Sequence, residues 1–215
     1  MQCPYCKEEI MDGAVKCKHC GTNLAATGAA AIPSDDFGLL FSSATGIWKG
    51  NLTDLLLLTL VFILVVWIPV ANIGFISGYT RSVLKVARGE GRAQIGDIFN
   101  AWDCFGNLFV YMLLCLIGSV ILNLIPIVGS LASICLGFLV APGIYAIIDN
   151  RRGAIDAFKW GIESIQANFV PWLIAYLVGS VLAFAGFLLL VIGALFTMPL
   201  GQLILVLQYD RVKPS

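Results

Sequence analysis

Charge is what this chain lacks most. Its 13 basic and 13 acidic residues make up 12% of 215 positions, about half the ~25% of an ordinary soluble domain. That deficit excludes a globular protein with a polar surface. A hydrophobic share of 59% excludes a disordered chain, which needs low hydrophobicity and high charge. Net charge is zero, so no whole-molecule field draws in nucleic acid, and none is expected as a partner. Histidine is nearly missing as well, with His19 the single one. No G-x-x-x-x-G-K-[ST], G-x-S-x-G or H-E-x-x-H run occurs, which removes the common phosphate-binding, nucleophile-elbow and zinc-protease signatures. A non-enzymatic protein is expected.

What is present is long apolar sequence, with a mean hydropathy of +0.91. Three stretches, 52–80, 108–148 and 169–207, are almost free of charge. A membrane-spanning helix needs about 20 residues, so the second and third are each long enough for a helical hairpin. The first, of 29 residues, is short for one. Breakers mark the middles: Ile68-Pro69 with Asn72 and Gly74, Ile125-Pro126 with Gly129, and Gly193. The polar islands between hold Lys49, Arg81, Lys85, Arg88, Arg92, Arg151, Arg152 and Lys159, and Arg211 and Lys213 follow the last run. Basic residues on one side only place that side, and both termini, in the cytoplasm. The first apolar run begins at residue 52, too late for a cleaved leader, and is expected to act as a signal-anchor.

The islands repeat. Phe37, Leu40, Phe41, Ala44, Ile47 and Trp48 form one helical stripe; Ile98, Phe99, Trp102 and Phe105 form a second; Ile155, Phe158, Ile162 and Ile165 form a third. Such stripes suit amphipathic helices lying in the membrane interface. Each is followed by a small residue and then by Asn51, Asn107 or Asn168, expected to cap the spanning helix that comes next. The second helix of each hairpin carries its own expected breaker: Gly78, Pro142-Gly143, and Pro199 with Gly201. The expected fold is an all-α polytopic membrane protein. Six transmembrane helices form three hairpins, each preceded by an interfacial amphipathic helix, over residues 35–210, with a tail at 211–215.

Residues 1–24 differ in kind. Cys3-Pro-Tyr-Cys6 and Cys17-Lys-His-Cys20 are two C-x-x-C knuckles separated by ten residues. Paired thiolates in this spacing suit one tetrahedral, structural zinc, and Asp12-Gly13 between them suits a hairpin turn. The competing readings are a redox pair or disulfides, and a reducing cytosol disfavours the latter. So few residues bury little core, and the metal supplies the folding energy. Residues 25–34, small and uncharged, read as a linker. A docking, sensing or regulatory head is expected, with a cytosolic or membrane protein as its partner.

Arg81 stands out. It lies ten residues after Ala71, and the repeat aligns it with Ala146 and Ile204. It heads a basic stripe, Arg81, Lys85, Arg88 and Arg92, that could contact anionic lipid. An ionisable residue within a span is a functional candidate, and snorkelling to headgroups is its bland alternative. Asp54, Asp103 and Asp149 are the carboxylates offered as its partner. A transporter, channel, lipid-handling or membrane-shaping protein, with Arg81 near a polar entrance, is the alternative function.

The run Ile68-Pro-Val-Ala-Asn-Ile-Gly-Phe-Ile-Ser-Gly-Tyr79, followed by Arg81-Ser-Val-Leu-Lys-Val-Ala-Arg-Gly-Glu90 and Asp97-Ile-Phe99, resembles a domain-of-unknown-function family of multi-pass bacterial and archaeal membrane proteins. The resemblance covers roughly 36–207. The cysteine segment resembles zinc-ribbon heads that precede prokaryotic membrane domains. Both resemblances imply the cytoplasmic membrane of a prokaryote, and neither implies an activity.

Overall fold

The computed structural model describes residues 36–124, 128–188 and 190–213. The cysteine knuckles and the linker lie outside these. Every regular element among the described residues is helical: α1 (Phe37–Gly50), α2 (Leu52–Val65), α3 (Ala71–Ala87), a 3-10 turn at Ile95–Phe99, α4 (Phe105–Leu122), α5 (Val128–Asn150), α6 (Ala154–Ala167), α7 (Phe169–Leu188) and α8 (Leu190–Val212). α4, α5, α7 and α8 are long and apolar enough to cross a membrane. The chain is a helical membrane protein.

The helices pair as α2–α3, α4–α5 and α7–α8. In α4–α5 the Tyr111 hydroxyl donates to the Val140 carbonyl at 2.7 Å, and Asn123 Nδ2 donates to Ser133 Oγ at 2.7 Å. In α7–α8 Gly179 meets Gly201 backbone to backbone. The second helix of each pair is the more buried. The crossing part of α4 is 11% buried and that of α7 22%, against 39% for α5 and 44% for α8. The centre is therefore built by α3, α5 and α8, through Tyr79, Val83, Ile147, Leu203 and Ile204. The outward faces of α4 and α7 carry Leu113, Leu116, Ile117, Val181 and Phe184, all exposed. In water such faces would drive association; in lipid there is no such force, and they stay outside.

Several expectations are corrected. α2 has 14 residues and α3 has 17, about 21 and 26 Å at the helical rise, against about 30 Å of hydrocarbon. Neither has the length of a full crossing. The second interfacial helix is a five-residue 3-10 turn. The Gln94 backbone N–H donates to Asp97 Oδ2 at 3.2 Å, closing the turn, and Trp102 Nε1 donates to the Phe99 carbonyl at 2.8 Å where a helix would have continued. The stripes of α1 and α6 face protein as well as lipid. Leu40 and Ala44 of the first stripe and Ile165 of the third are buried, with Ala154 and Ala157 beside the third, while Phe41, Ile155 and Phe158 are exposed. α1 runs antiparallel along α8: Arg211 donates to the Asp36 carbonyl at one end, and Trp48 meets Phe196 edge to face at the other. α6 folds back along α5, Gly161 lying against Gly143 and Leu139.

Ile68-Pro69 separates α2 from α3 as expected, but the breakers expected in the second helices do not break. α3, α5 and α8 continue through Gly78, Pro142-Gly143, Pro199 and Gly201, and Gly193 lies within α8 rather than at a turn. The three glycines share one repeat position and serve close approach instead. A Cβ at Gly78 would lie 2.5 Å from the backbone of Asp97 and Ile98. One at Gly143 would meet the Ala157 carbonyl at 2.9 Å, and one at Gly201 the Gly179 carbonyl at 3.1 Å. Backbone cannot yield as a side chain can. Gly78→Ala is expected to lower stability by about 1–3 kcal/mol through overpacking, against its better helix propensity. Gly46→Ala, in open space on α1, should be neutral or gain up to about 1 kcal/mol. Thermal unfolding in detergent checks this, and equal behaviour of the two variants would mean the contact at Gly78 is not made.

Candidate functional site

The C-terminal ends of α3, α5 and α8 converge, and each brings charge. α3 presents Arg81, Lys85 and Arg88 at helical spacing, with Arg88 at its C-cap. α5 ends in Asp149-Asn150, and α8 carries Tyr209-Asp210 in its last turn. Cations are favoured at a helix C-terminus and carboxylates disfavoured. Asp149 and Asp210 therefore sit where their own helices oppose them, and something else must hold them.

Arg88 does so. Its Nη1 and Nη2 donate to Asp149 Oδ1 and Oδ2, both at 2.7 Å. Nη2 and Nε also donate to Asp210 Oδ1 and Oδ2, at 2.7 and 3.1 Å. One planar fork thus meets two carboxylates bidentately, the geometry for which arginine and not lysine is suited. Lys213 Nζ adds contacts at 2.9 Å to Asp210 and 3.7 Å to Asp149. The Tyr209 hydroxyl donates to Asp149 Oδ2 at 3.1 Å and accepts from Asn150 Nδ2 at 2.9 Å. The Tyr209 ring packs against Tyr145 and Trp160. Two cations face two anions, so the cluster is neutral, and its three central side chains are 14–21% exposed.

A second, more open pair lies seven residues back along α3. Arg81 donates to Asp103 through Nη1 at 2.8 Å and Nη2 at 3.2 Å, and to the Ile148 carbonyl at 3.1 Å. Of the three carboxylates offered by the sequence, Asp103 is the one it meets. Arg151 Nε reaches the same carboxylate at 2.8 Å from an exposed position. The Arg81 guanidinium holds the Asp103 carboxyl below its ordinary range. A depressed carboxyl contributes stability that is complete above its unfolded value of about 3.9 and is lost as pH falls through the lower folded value.

The rest of the basic stripe is less available to lipid than its sequence suggests. Lys85 lies 3.4 Å from Asp97, which also accepts from Ser82 at 2.8 Å. Arg92 is exposed and forms no ion pair among the described residues. The asparagines do not act as expected. Asn51 and Asn168 are C-caps of α1 and α6, their side-chain amides donating backwards to Ile47 and Ser164, and Asn51 also holds the N-cap position of α2, where its side chain makes no cap bond. Their backbone carbonyls accept from Leu55 and Trp172 in the following helix. Asn107 lies inside α4, whose N-cap is Cys104. Asn can close a helix as readily as open one, since its amide donates as well as accepts. Cys3, Cys6, Cys17 and Cys20 lie outside the described residues.

The sequence reading missed Tyr209, Asp210 and Lys213. A usable signal was there: the runs 108–148 and 169–207 are each closed by an aspartate within three residues, an unfavourable helix-end choice repeated twice. A polar layer beneath the cluster was also missed. Gln202 Nε2 donates to Thr80 Oγ1 at 3.2 Å, joining α8 to α3, and Thr59 and Tyr79 share a hydrogen bond of 3.0 Å.

The chain matches no protein-family model, no curated protein and no solved structure.

Removing Arg88 leaves two carboxylates facing each other with only Lys213 between. Arg88→Ala is expected to cost more than the ~1 kcal/mol of an exposed pair and to approach the ~3–5 kcal/mol of a buried pair left half-made. Arg81→Ala, removing a side chain 35% exposed, should cost less. In a double-mutant cycle, Arg88→Ala with Asp149→Ala should be less damaging than the sum of the singles. Strict additivity would show that the two side chains do not interact.

Proposed function

We propose that this chain is a non-enzymatic integral membrane protein that holds a structural zinc ribbon at the cytoplasmic face, where the ribbon acts as a docking, sensing or regulatory head. The observation carrying this reading is where the chain enters the bundle. The Asp36 carbonyl accepts from Arg211 at 3.1 Å, one residue from the Asp210 end of the Arg88 cluster. A ribbon at 1–24 on the linker 25–34 is therefore tethered beside the charged end. Basic residues collect at that end and none lies between Asp54 and Arg81 or between Asn107 and Ile148, which supports a cytoplasmic orientation. All three helix pairs then open to the cytoplasm, and both termini lie there.

The ribbon follows from the two knuckles: Cys3, Cys6, Cys17 and Cys20 supply four thiolates and leave zinc no open position for chemistry. The transport reading loses its motive, because Arg81 is engaged with Asp103 and the Ile148 carbonyl. Around it the space between α3, α5 and α8 is filled by Tyr79, Val83, Ile147 and Ile204, none more than 4% exposed.

Purified full-length protein should carry about one zinc per chain, as a single closed four-thiolate site requires. The double substitution Cys17→Ser with Cys20→Ser should lose it, while the helical domain keeps its thermal unfolding. Zinc retained by the double variant, or a C-terminal reporter reading outside the cytoplasm, would overturn the proposal.

A further inference from the structure

The first helix pair poses a length problem that the cluster resolves. Arg81 is tied to Asp103, just before α4, and to Ile148, at the end of α5. α4 and α5 are both long enough to cross, and these are their charged-side ends, so Arg81 marks the inner membrane boundary. From Arg81 back to Ala71, where α3 begins, is about 15 Å of helix. Snorkelling of the Arg81 side chain adds a few ångströms at most. The tip between α2 and α3 therefore lies near the middle of the ~30 Å hydrocarbon.

The tip is built for such a place. No charged residue occurs between Asp54 and Arg81. Trp67, Ile68 and Val70 are 77%, 51% and 57% exposed, and Leu64 just before them is 69% exposed. Water would penalise that exposure, and lipid would not. The backbone closes most of its own groups: Ile68 N–H donates to Val65, Ala71 to Pro69, Asn72 to Ile68 and Ile73 to Val70, while the Trp67 and Val70 N–H groups find no partner among the described residues. Pro69 has no N–H to satisfy. In hydrocarbon every unpaired backbone group is costly, so a turn that pairs four of its N–H groups internally leaves few such groups to a membrane-buried reversal. The turn is obtained with strain, Val70 taking φ 67° and ψ −49°, a γ-turn conformation that is rare for a β-branched residue.

We propose that α2–α3 is a re-entrant hairpin whose tip, Trp67 to Val70, ends inside the bilayer against lipid acyl chains. This replaces two of the six crossings expected from sequence. The hairpin adds protein cross-section to the cytoplasmic leaflet alone and so acts there as a wedge. The proposal rests on the charged end being the membrane boundary, and its readout is independent of zinc and of terminus orientation.

The test uses the full chain in phosphatidylcholine vesicles and the mild variant Trp67→Phe. Subtracting the variant's fluorescence from that of the wild type isolates Trp67. That signal should lose most of its intensity with lipids brominated near the chain ends, less with lipids brominated near the headgroup, and none with iodide added to either side. Quenching by iodide, or strongest quenching by headgroup-level bromine, would place the tip at a membrane surface and overturn the proposal. A signal unmoved by every quencher would bury Trp67 against a second protein copy and overturn it equally.

Discussion

One guanidinium sets the arrangement of the bundle's charged end. Arg88 sits at the close of α3 and holds Asp149 of α5 and Asp210 of α8 at once. Both carboxylates occupy the last turn of their helices, against the local dipole. Neither position is favourable in isolation. Together, with Arg88 and Lys213 between them, they become a neutral, hydrogen-bonded unit that requires three helix ends from three different pairs to be adjacent. Such a unit is weak evidence for raw stability. Its contribution here is to select one relative placement of α3, α5 and α8 from the many that apolar helices could adopt.

That selection matters because the solvent supplies so little of it. Between lipid-exposed helices the hydrophobic effect is nearly absent, and association relies on close packing and polar contacts. The same three helices provide both. Gly78, Gly143 and Gly201, at one repeat position, let a neighbouring backbone approach each of them. Thr80 and Gln202 join α3 to α8 below the charges. The repeat thus encodes a contact site on each central helix, while the charges at the ends differ from copy to copy and fit one another.

Much of the architecture was legible in the sequence. The helical membrane class followed from charge scarcity, and the pairing from apolar runs that are bounded by islands. What was not legible has physical causes. Glycine and proline in an apolar helix look like breakers, yet in lipid they serve packing, so Gly78 and Pro199 were misread. A stripe such as that of α1 fits lipid and protein equally well, and only tertiary contact decides. Asn51 can donate as well as accept, so its capping direction was undetermined. Arg81 was recognisable as misplaced because the repeat supplied apolar counterparts, and three possible partners could be named. The partners of Arg88 were harder to find, because Asp210 lies 122 residues away and no local pattern links the two.

The central claim is that Arg88 binds three helix ends as a unit. Hydrogen–deuterium exchange in detergent, comparing wild type with Arg88→Gln, tests it most directly. The account predicts that the last-turn amides of α3, α5 and α8 all lose protection together, while the lipid-facing middle of α4 is unchanged. Faster exchange confined to α3, with α5 and α8 protected as before, would contradict it.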